Sequence, residues 1–366
     1  MPDMDVTMDY VMDAVLDSGY LPVWAIKLVT RYLTRSRIAT MASRPPAQIE
    51  ADRLQWVAKS LKMPMAIETA ATKTQQYEVG TGVFACFLGP RMKYSCSLWE
   101  GSTKNLAEAE ENMLELYIPR GSLADGMHIL DLGCGWGSAV LFFAERFPQA
   151  TVTGFSNSRT QKEYIDQQAT KRGLTNVKII TGDVVDYEFE PEAYDRILSV
   201  ELFEHMKNYE LLMAKLARAL KPCGKLLVHH FCHRDTIFDF DSGWMSRYFY
   251  TGGTMPCADL LAHYQRDLAL EESWWVDGMN YSKTLQSWLE NWQANKEEAW
   301  PHLVETYGAE NAQVWYNRWI AYHASLTEFF AVGEGHVYGV THMLFQKKSV
   351  ALPDGEVAAL RTKALE

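Results

Sequence analysis

The stretch that most constrains this chain is Ile129-Leu130-Asp131-Leu132-Gly133-Cys134-Gly135-Trp136-Gly137. An apolar run ends on an acid, and glycine then takes every second position ahead of Ser138-Ala139-Val140-Leu141-Phe142-Phe143-Ala144. That order reads as a buried strand, a tight turn and the opening of a helix. Glycine suits such a turn, because the backbone must bend sharply and leave space where a Cβ would stand. Related turns serve nicotinamide and flavin enzymes, but their fingerprint is G-x-G-x-x-G, with a pyrophosphate on the helix N-terminus. The spacing here is G-x-G-x-G. The competing reading is a plain strand-helix turn that holds no ligand.

The surrounding pattern extends this unit. Strands are expected at His128–Leu132, Thr151–Phe155, Val177–Thr181, Arg196–Val200 and Lys225–His229. Helices are expected up to about Phe147, from Gln161 to Arg172, and from Tyr209 to Leu220. Alternating βα units with short connections imply a parallel sheet covered on both faces, with right-handed crossovers. Ligands of such sheets bind beyond the C-terminal strand ends. Upstream, residues 1 to about 42 read as one amphipathic helix, ended by Arg44-Pro45-Pro46, and Gln48–Leu61 as a second. Phe84–Leu88 is apolar ahead of a Gly89-Pro90 turn, Met92–Cys96 reads as extended, and Leu106–Tyr117 as a helix. From about 231 to 335 the chain is dense in Trp, Tyr and Phe, with helices expected at Leu285–Trp292 and Ala312–Phe330. This reads as an insertion over the strand ends. His336–Gln346 then returns as a last strand.

Composition excludes several partners. With 366 residues there is room for one large α/β domain and a cap, or for two domains. Forty-six acids against 35 Lys and Arg leave a net charge of −11, which argues against nucleic acid and suits a cationic substrate. The six cysteines form no C-x-x-C, so free thiols in a reducing compartment are expected. The acidic N-terminus carries no short apolar leader core, and no run reaches the roughly 20 apolar residues of a membrane span. The expected location is therefore cytoplasmic, with no membrane partner.

Three polar groups follow the strands. After strand two, Ser156-Asn157-Ser158 and Gln161 offer either amides for a ribose or a helix cap by Ser156 or Asn157. After strand three, Asp183 and Val184 offer a carboxylate and an apolar contact for a base, or Asp183 serves as a cap. After strand four, Glu201-Leu202-Phe203-Glu204-His205-Met206 carries the strongest catalytic signal. If it opens a helix, Glu201 meets Glu204 and His205 across one turn; the alternative is that these side chains favour a helix dipole. The knot His229-His230-Phe231-Cys232-His233 holds metal-ligand types, but a strand sends successive side chains to opposite faces, so no metal site is expected.

Four stretches carry a family resemblance: Tyr77-Glu78, Lys93-Tyr94-Ser95-Cys96, the glycine turn with Asp131, and Phe203-Glu204-His205-Met206-Lys207-Asn208-Tyr209. Over about Met63 to Lys347 the chain resembles the plant coclaurine N-methyltransferase-like family. That family uses S-adenosylmethionine (SAM) and is related to cyclopropane fatty acid synthases. The resemblance implies a class I SAM-methyltransferase fold: a Rossmann-like parallel sheet with an N-terminal helical segment and a helical cap insertion. The expected division is 1–118 for the helical segment and cofactor lid, 119–230 for the SAM-binding core, 231–335 for the substrate cap, 336–348 for the final strand and 349–366 for a tail.

The resemblance further implies that Tyr94 and Ser95 touch the methionine part of SAM. Asp131, Gly133 and Gly135 belong to the same cofactor site, Asn157 and Gln161 go to the ribose, and Asp183 and Val184 to adenine. Glu201, Glu204 and His205 would line the amine site, with Tyr77, Glu78, Trp319 and Tyr322 as substrate contacts. The expected reaction is N-methylation of a small aromatic amine or alkaloid, with Glu204 and His205 deprotonating the amine and Glu201 in support. The rival is methyl transfer to an unsaturated phospholipid, as in the synthases. A homodimer is expected by analogy. His323 departs from the family pattern, where an apolar residue is common.

Overall fold

The computed structural model describes residues 12–67, 79–240, 243–353 and 356. Its centre is a seven-stranded sheet in the order β3-β2-β1-β4-β5-β9-β8. The strands are β1 (His128–Leu132), β2 (Thr151–Ser156), β3 (Val177–Thr181), β4 (Tyr194–Val200), β5 (Leu220–His233), β8 (Leu268–Asp277) and β9 (Tyr338–Lys347). The pairs β3-β2, β2-β1, β1-β4 and β4-β5 are parallel. β9 lies antiparallel between β5 and β8. A separate ribbon pairs β6 (Phe238–Asp239) with β7 (Thr254–Met255).

Both faces of the sheet are covered, which explains why its central strands are nearly continuous apolar runs. Alternate residues part company: Ile129, Leu198 and Leu227 join one buried cluster, and Leu130, Ile197 and Leu226 join the other. In chain order the helices are α1 (Val23–Ala42), α2 (Pro46–Ser60), α3 (Thr81–Ala85), α4 (Leu106–Gly121), α5 (Ser138–Arg146), α6 (Arg159–Lys171), α7 (Tyr209–Ala219), α8 (Trp244–Tyr248), α9 (Gly278–Ala294), α10 (Lys296–Tyr307) and α11 (Ala312–Ala331). Leu212, Met213, Leu216 and Ala217 form the buried stripe that seats α7 on the second face. The first face is covered by α4 and α5, and the aromatic side chains of α9 and α11 extend the same cluster beyond the strand ends.

Several expectations change. The single helix expected over 1–42 is interrupted: residues 12–18 are helical, Gly19 turns at φ +70°, and α1 begins only after Pro22. β5, expected at Lys225–His229, instead leaves α7 directly at Leu220, runs through Pro222 and continues to His233. Within the stretch expected to be cap, Leu268–Asp277 is a strand of the main sheet, and α10 is a further helix. The strand was hidden because its register shifts between Leu270 and Glu272, which breaks the two-residue alternation. All six cysteines are free. Among the described residues, no helix is long and apolar enough to cross a membrane.

Candidate active site

The strand ends of β1, β2 and β4 open onto a groove whose floor is the glycine turn. Gly133 sits at φ +81°, and both its N–H and that of Cys134 donate to the Phe155 carbonyl at 2.9 Å. A Cβ on Gly133 would stand 2.5 Å from Leu202 Cδ1, whereas one on Gly135 would meet nothing within 4 Å. The first glycine is thus required by packing, and the second leaves open space above the backbone. One half of the groove is lined by Gly133, Gly135, Ser156, Asn157, Gln161, Asp183, Val184 and His205. The other half shares Gly133, Gly135 and Gln161 and adds Lys93, Tyr94, Ser95, Tyr117, Asp131 and Glu201.

The polar groups of this groove are only partly satisfied. Asn157 Oδ1 and Asp131 Oδ1 are buried with no partner among the described residues. Burial pushes the Asp131 carboxyl up to about 7, against the pull of the Lys93 ammonium. Ser158, rather than Ser156 or Asn157, caps α6 by accepting from the Gln161 N–H at 3.3 Å. Ser156 instead donates to Gln161 Oε1 at 2.6 Å, which fixes that amide on the groove wall. Asp183 accepts from the Val185 N–H at 2.9 Å and holds its own turn. Ser95 accepts from the buried Lys93 Nζ at 2.6 Å. A nucleoside fits the half with an amide, a carboxylate and Val184; an α-amino acid fits the half with Asp131, Lys93 and Tyr94. These residues therefore fit SAM, and the two orphaned oxygens are acceptors that such a ligand would satisfy.

The acids after β4 are arranged differently from expectation. Phe203–His205 form a single 3₁₀ turn, and α7 starts later, capped by Asn208 accepting from the Leu211 N–H at 3.2 Å. The convergence of Glu201, Glu204 and His205 that a helix opening at Glu201 would give is not seen. Glu201 turns at φ +49°. Its Oε1 accepts from the Cys96 N–H at 2.9 Å and faces His229 Nε2 at 3.2 Å; its Oε2 accepts from the Tyr281 hydroxyl at 2.6 Å. Glu204 is buried, with Oε1 accepting from the Phe231 N–H at 2.6 Å and Oε2 without a partner among the described residues. Burial first, and then the Glu201 charge, hold the Glu204 carboxyl well above the usual range. His205 lines the nucleoside half of the groove, stacks on Tyr250 at 6.4 Å, and is pushed down to about 4 by burial. Adjacent in sequence, Glu204 and His205 face different neighbours.

Beyond these acids lies a cavity of about 180 Å³, walled by Phe231, Phe238, Phe240, Tyr250, Tyr281, Phe329 and Phe330, with Arg37, Met245 and Met255. Two polar links join it to the groove. One is the Glu201–Tyr281 contact. The other runs from Tyr94 to the Tyr322 hydroxyl at 3.1 Å and on to Tyr250 at 2.9 Å. Tyr322 lines none of these three cavities, and its hydroxyl is the middle of this second link. Trp319 packs in the interior against Phe84, Phe87 and Phe249 and reaches none of these three cavities. Tyr77 and Glu78 lie outside the described residues.

Residues 66–340 match the mycolic acid cyclopropane synthetase family. The chain is 35% identical to (S)-coclaurine N-methyltransferase of Thalictrum flavum subsp. glaucum over 320 residues, which is 81% of this chain and 88% of that one. A crystal structure of coclaurine N-methyltransferase bound to N-methylheliamine and SAH superposes with a TM-score of 0.88 at 30% identity, covering 92% of this chain and 99% of that one. The chain belongs to the coclaurine N-methyltransferase-like family. The cyclopropane-fatty-acyl-phospholipid synthase of Escherichia coli K12 is a further relative, 32% identical over 235 residues, or 64% of this chain and 58% of that one. As in this family generally, the protein is a SAM-dependent N-methyltransferase, with a class I methyltransferase fold.

Sequence reasoning missed Lys93, Phe231, Tyr250 and Tyr281 as neighbours of the family's acids. Lys93 had a usable signal, since it adjoins Tyr94-Ser95. Tyr281 and Tyr250 had none, because nothing local marks a tyrosine 80 residues from its carboxylate partner.

Proposed function

We propose that the protein transfers a methyl group from SAM to the nitrogen of a small aromatic amine, of phenylalkylamine or benzylisoquinoline type. The observation that carries this reading is a pair of buried carboxylates: Glu201 lines the cofactor groove and bonds to Tyr281 of the ring-lined cavity, and Glu204 accepts from the backbone of Phe231 in the wall of that cavity. When bound, SAM supplies a methyl group on a positively charged sulfur. Tyr94, Ser95 and Asp131 would hold its amino-acid end, with Gly133 and Gly135 beneath. Asn157, Gln161, Asp183 and Val184 would hold its nucleoside end.

An alkylamine arrives as an ammonium whose pKa resembles that of lysine, so baring its nitrogen near pH 7.4 costs about 4 kcal/mol. Burial raises the Glu201 carboxyl as well, but its donors and the Lys93 ammonium work against that, and it serves as the negative charge that draws the cation in. Glu204 has an oxygen without a partner among the described residues and a carboxyl whose proton affinity is raised by burial first and then by the Glu201 charge. It is the group suited to take the proton. His205, kept neutral by burial, offers a second acceptor on the groove side. The ring faces of Tyr250, Tyr281 and Phe330 suit both the aromatic body and its charge.

The lipid alternative calls for room along an aliphatic chain, and seven aromatic rings wall this cavity. The test is a labelled-methyl transfer assay over a panel of aromatic amines and an unsaturated phospholipid. The expected product carries the label on the amine nitrogen. Label in the phospholipid alone would overturn the proposal.

A further inference from the structure

Behind Glu201, on the side away from the ring-lined cavity, three residues form a chain that the reaction above does not use. Arg120 Nη1 lies 2.7 Å from His342 Nδ1, His342 Nε2 lies 2.9 Å from His229 Nδ1, and His229 Nε2 lies 3.2 Å from Glu201 Oε1. Both histidines are fully buried and are directly opposite one another across β5 and β9. Arg120 is half-buried at the end of α4, with its guanidinium over the Trp274 ring.

The direction of every bond in this chain follows from one fact. A guanidinium donates and has no acceptor, so His342 Nδ1 must be bare. A neutral His342 then carries its proton on Nε2 and donates to His229 Nδ1. His229 in turn carries its proton on Nε2 and donates to Glu201. The Tyr117 hydroxyl, 2.9 Å from His229 Nδ1, shares the same acceptor. The charged and titratable neighbours of the pair are Lys93, Arg120, Tyr117, Glu201 and His230. Burial first, and then the cations among them, oppose protonation of either ring.

We propose that Arg120, His342 and His229 form a polarised positioning chain that fixes both imidazole tautomers and presents a proton donor to Glu201, keeping that carboxylate oriented toward the amine site. The proposal rests on the amine-methyltransferase reading above. It also excludes a proton exit along this path, since the far end is a guanidinium that cannot accept. The amine's proton has to leave by Glu204 and the groove side. These are positioning residues, because none of them lines the ring-walled cavity.

The test combines two readouts on the full-length protein. In ¹⁵N–¹H imidazole spectra of histidine-labelled protein, assigned with His229→Gln and His342→Gln, both rings are expected to be neutral with the proton on Nε2. Arg120→Met is expected to lose that defined tautomer pair, lower kcat for the amine ten- to a hundred-fold, and leave SAM affinity within two-fold. Arg120→Lys, which keeps a donor, should recover most of kcat. A proton on Nδ1 of either ring in the wild type would overturn the proposal, as would an Arg120→Met enzyme with unchanged kcat and an unchanged tautomer pair. If the wild type methylates no amine, the methyltransfer reading fails, and the tautomers alone decide the chain.

Discussion

Replacing Glu204 with Gln isolates the proton-accepting oxygen. The glutamine carbonyl can keep the 2.6 Å bond from the Phe231 N–H, so the local fold has no reason to change. The amide NH₂ then takes the place of Oε2, which is buried and without a partner among the described residues. It can donate but cannot accept, so it faces an incoming ammonium with the wrong polarity. Removing a positioned base lowers rates by about 10²–10⁴, or roughly 3–5 kcal/mol of barrier. That matches the roughly 4 kcal/mol needed to bare a lysine-like amine near pH 7.4. In a steady-state assay at saturating SAM, kcat for Glu204→Gln should fall by at least about 10² near neutral pH. Above it, the variant's rate should climb about tenfold per pH unit, because the free amine in solution becomes its only source of nucleophile. SAM affinity and thermal midpoint should stay close to wild type. A variant with near-normal turnover at pH 7.4, or one with a flat pH profile, would refute the reasoning.

Three further outcomes follow. Gly133→Ala places a methyl group 2.5 Å from Leu202 Cδ1 at φ +81°, so it should lose about 1–3 kcal/mol of stability in denaturant titrations and weaken SAM binding at least tenfold by calorimetry. Tyr281→Phe removes the 2.6 Å donor to Glu201 Oε2; a hydrogen bond to a charged group is worth about 1.5–3 kcal/mol, so kcat/KM for the amine should fall about ten- to a hundred-fold with SAM affinity intact. His323 is fully buried among Phe87, Trp288, Trp319 and Tyr322, with both ring nitrogens unpartnered among the described residues, and burial pushes it down to about 3. Its folded value lies below the unfolded one, so stability is present above about pH 6.5 and drains as pH falls, by about 2 kcal/mol at pH 5. His323→Phe should raise the thermal midpoint and flatten its fall between pH 7 and pH 5; a variant less stable than wild type at pH 5 would contradict this.

The parallel half of the sheet was readable because its signals are local. Each of β1 to β4 is a short run beside a turn or cap, the apolar middle of β5 shows in the same way, and the glycine turn announces its own geometry. The antiparallel edge was harder. β9 shows as an apolar stretch, but β8 depends on pairing with it across some seventy residues and carries a register shift. The acids after β4 were found by residue type, while their arrangement was not. The helix expected from Tyr209 does start there, capped by Asn208, so a helix opening at Glu201, one of two readings of these acids, gives way to a tight 3₁₀ turn before it. What surrounds Glu201 is assembled from Cys96, His229 and Tyr281, up to 105 residues away. No local periodicity encodes such meetings. The His229–His342 contact is of the same kind, since only the register of β5 against β9 sets those rings opposite each other. Trp319 shows the converse: an aromatic residue expected at a binding wall is drawn into the core by its neighbours Phe84, Phe87 and Phe249.

The most direct test is a crystal structure of the protein with SAH and an amine that it methylates. The amine nitrogen should lie at the wall between groove and ring-lined cavity, within hydrogen-bond reach, about 3 Å, of Glu204 Oε2. A nitrogen lodged at the Arg37 end of the cavity, with Glu201 and Glu204 turned away from it, would contradict the account.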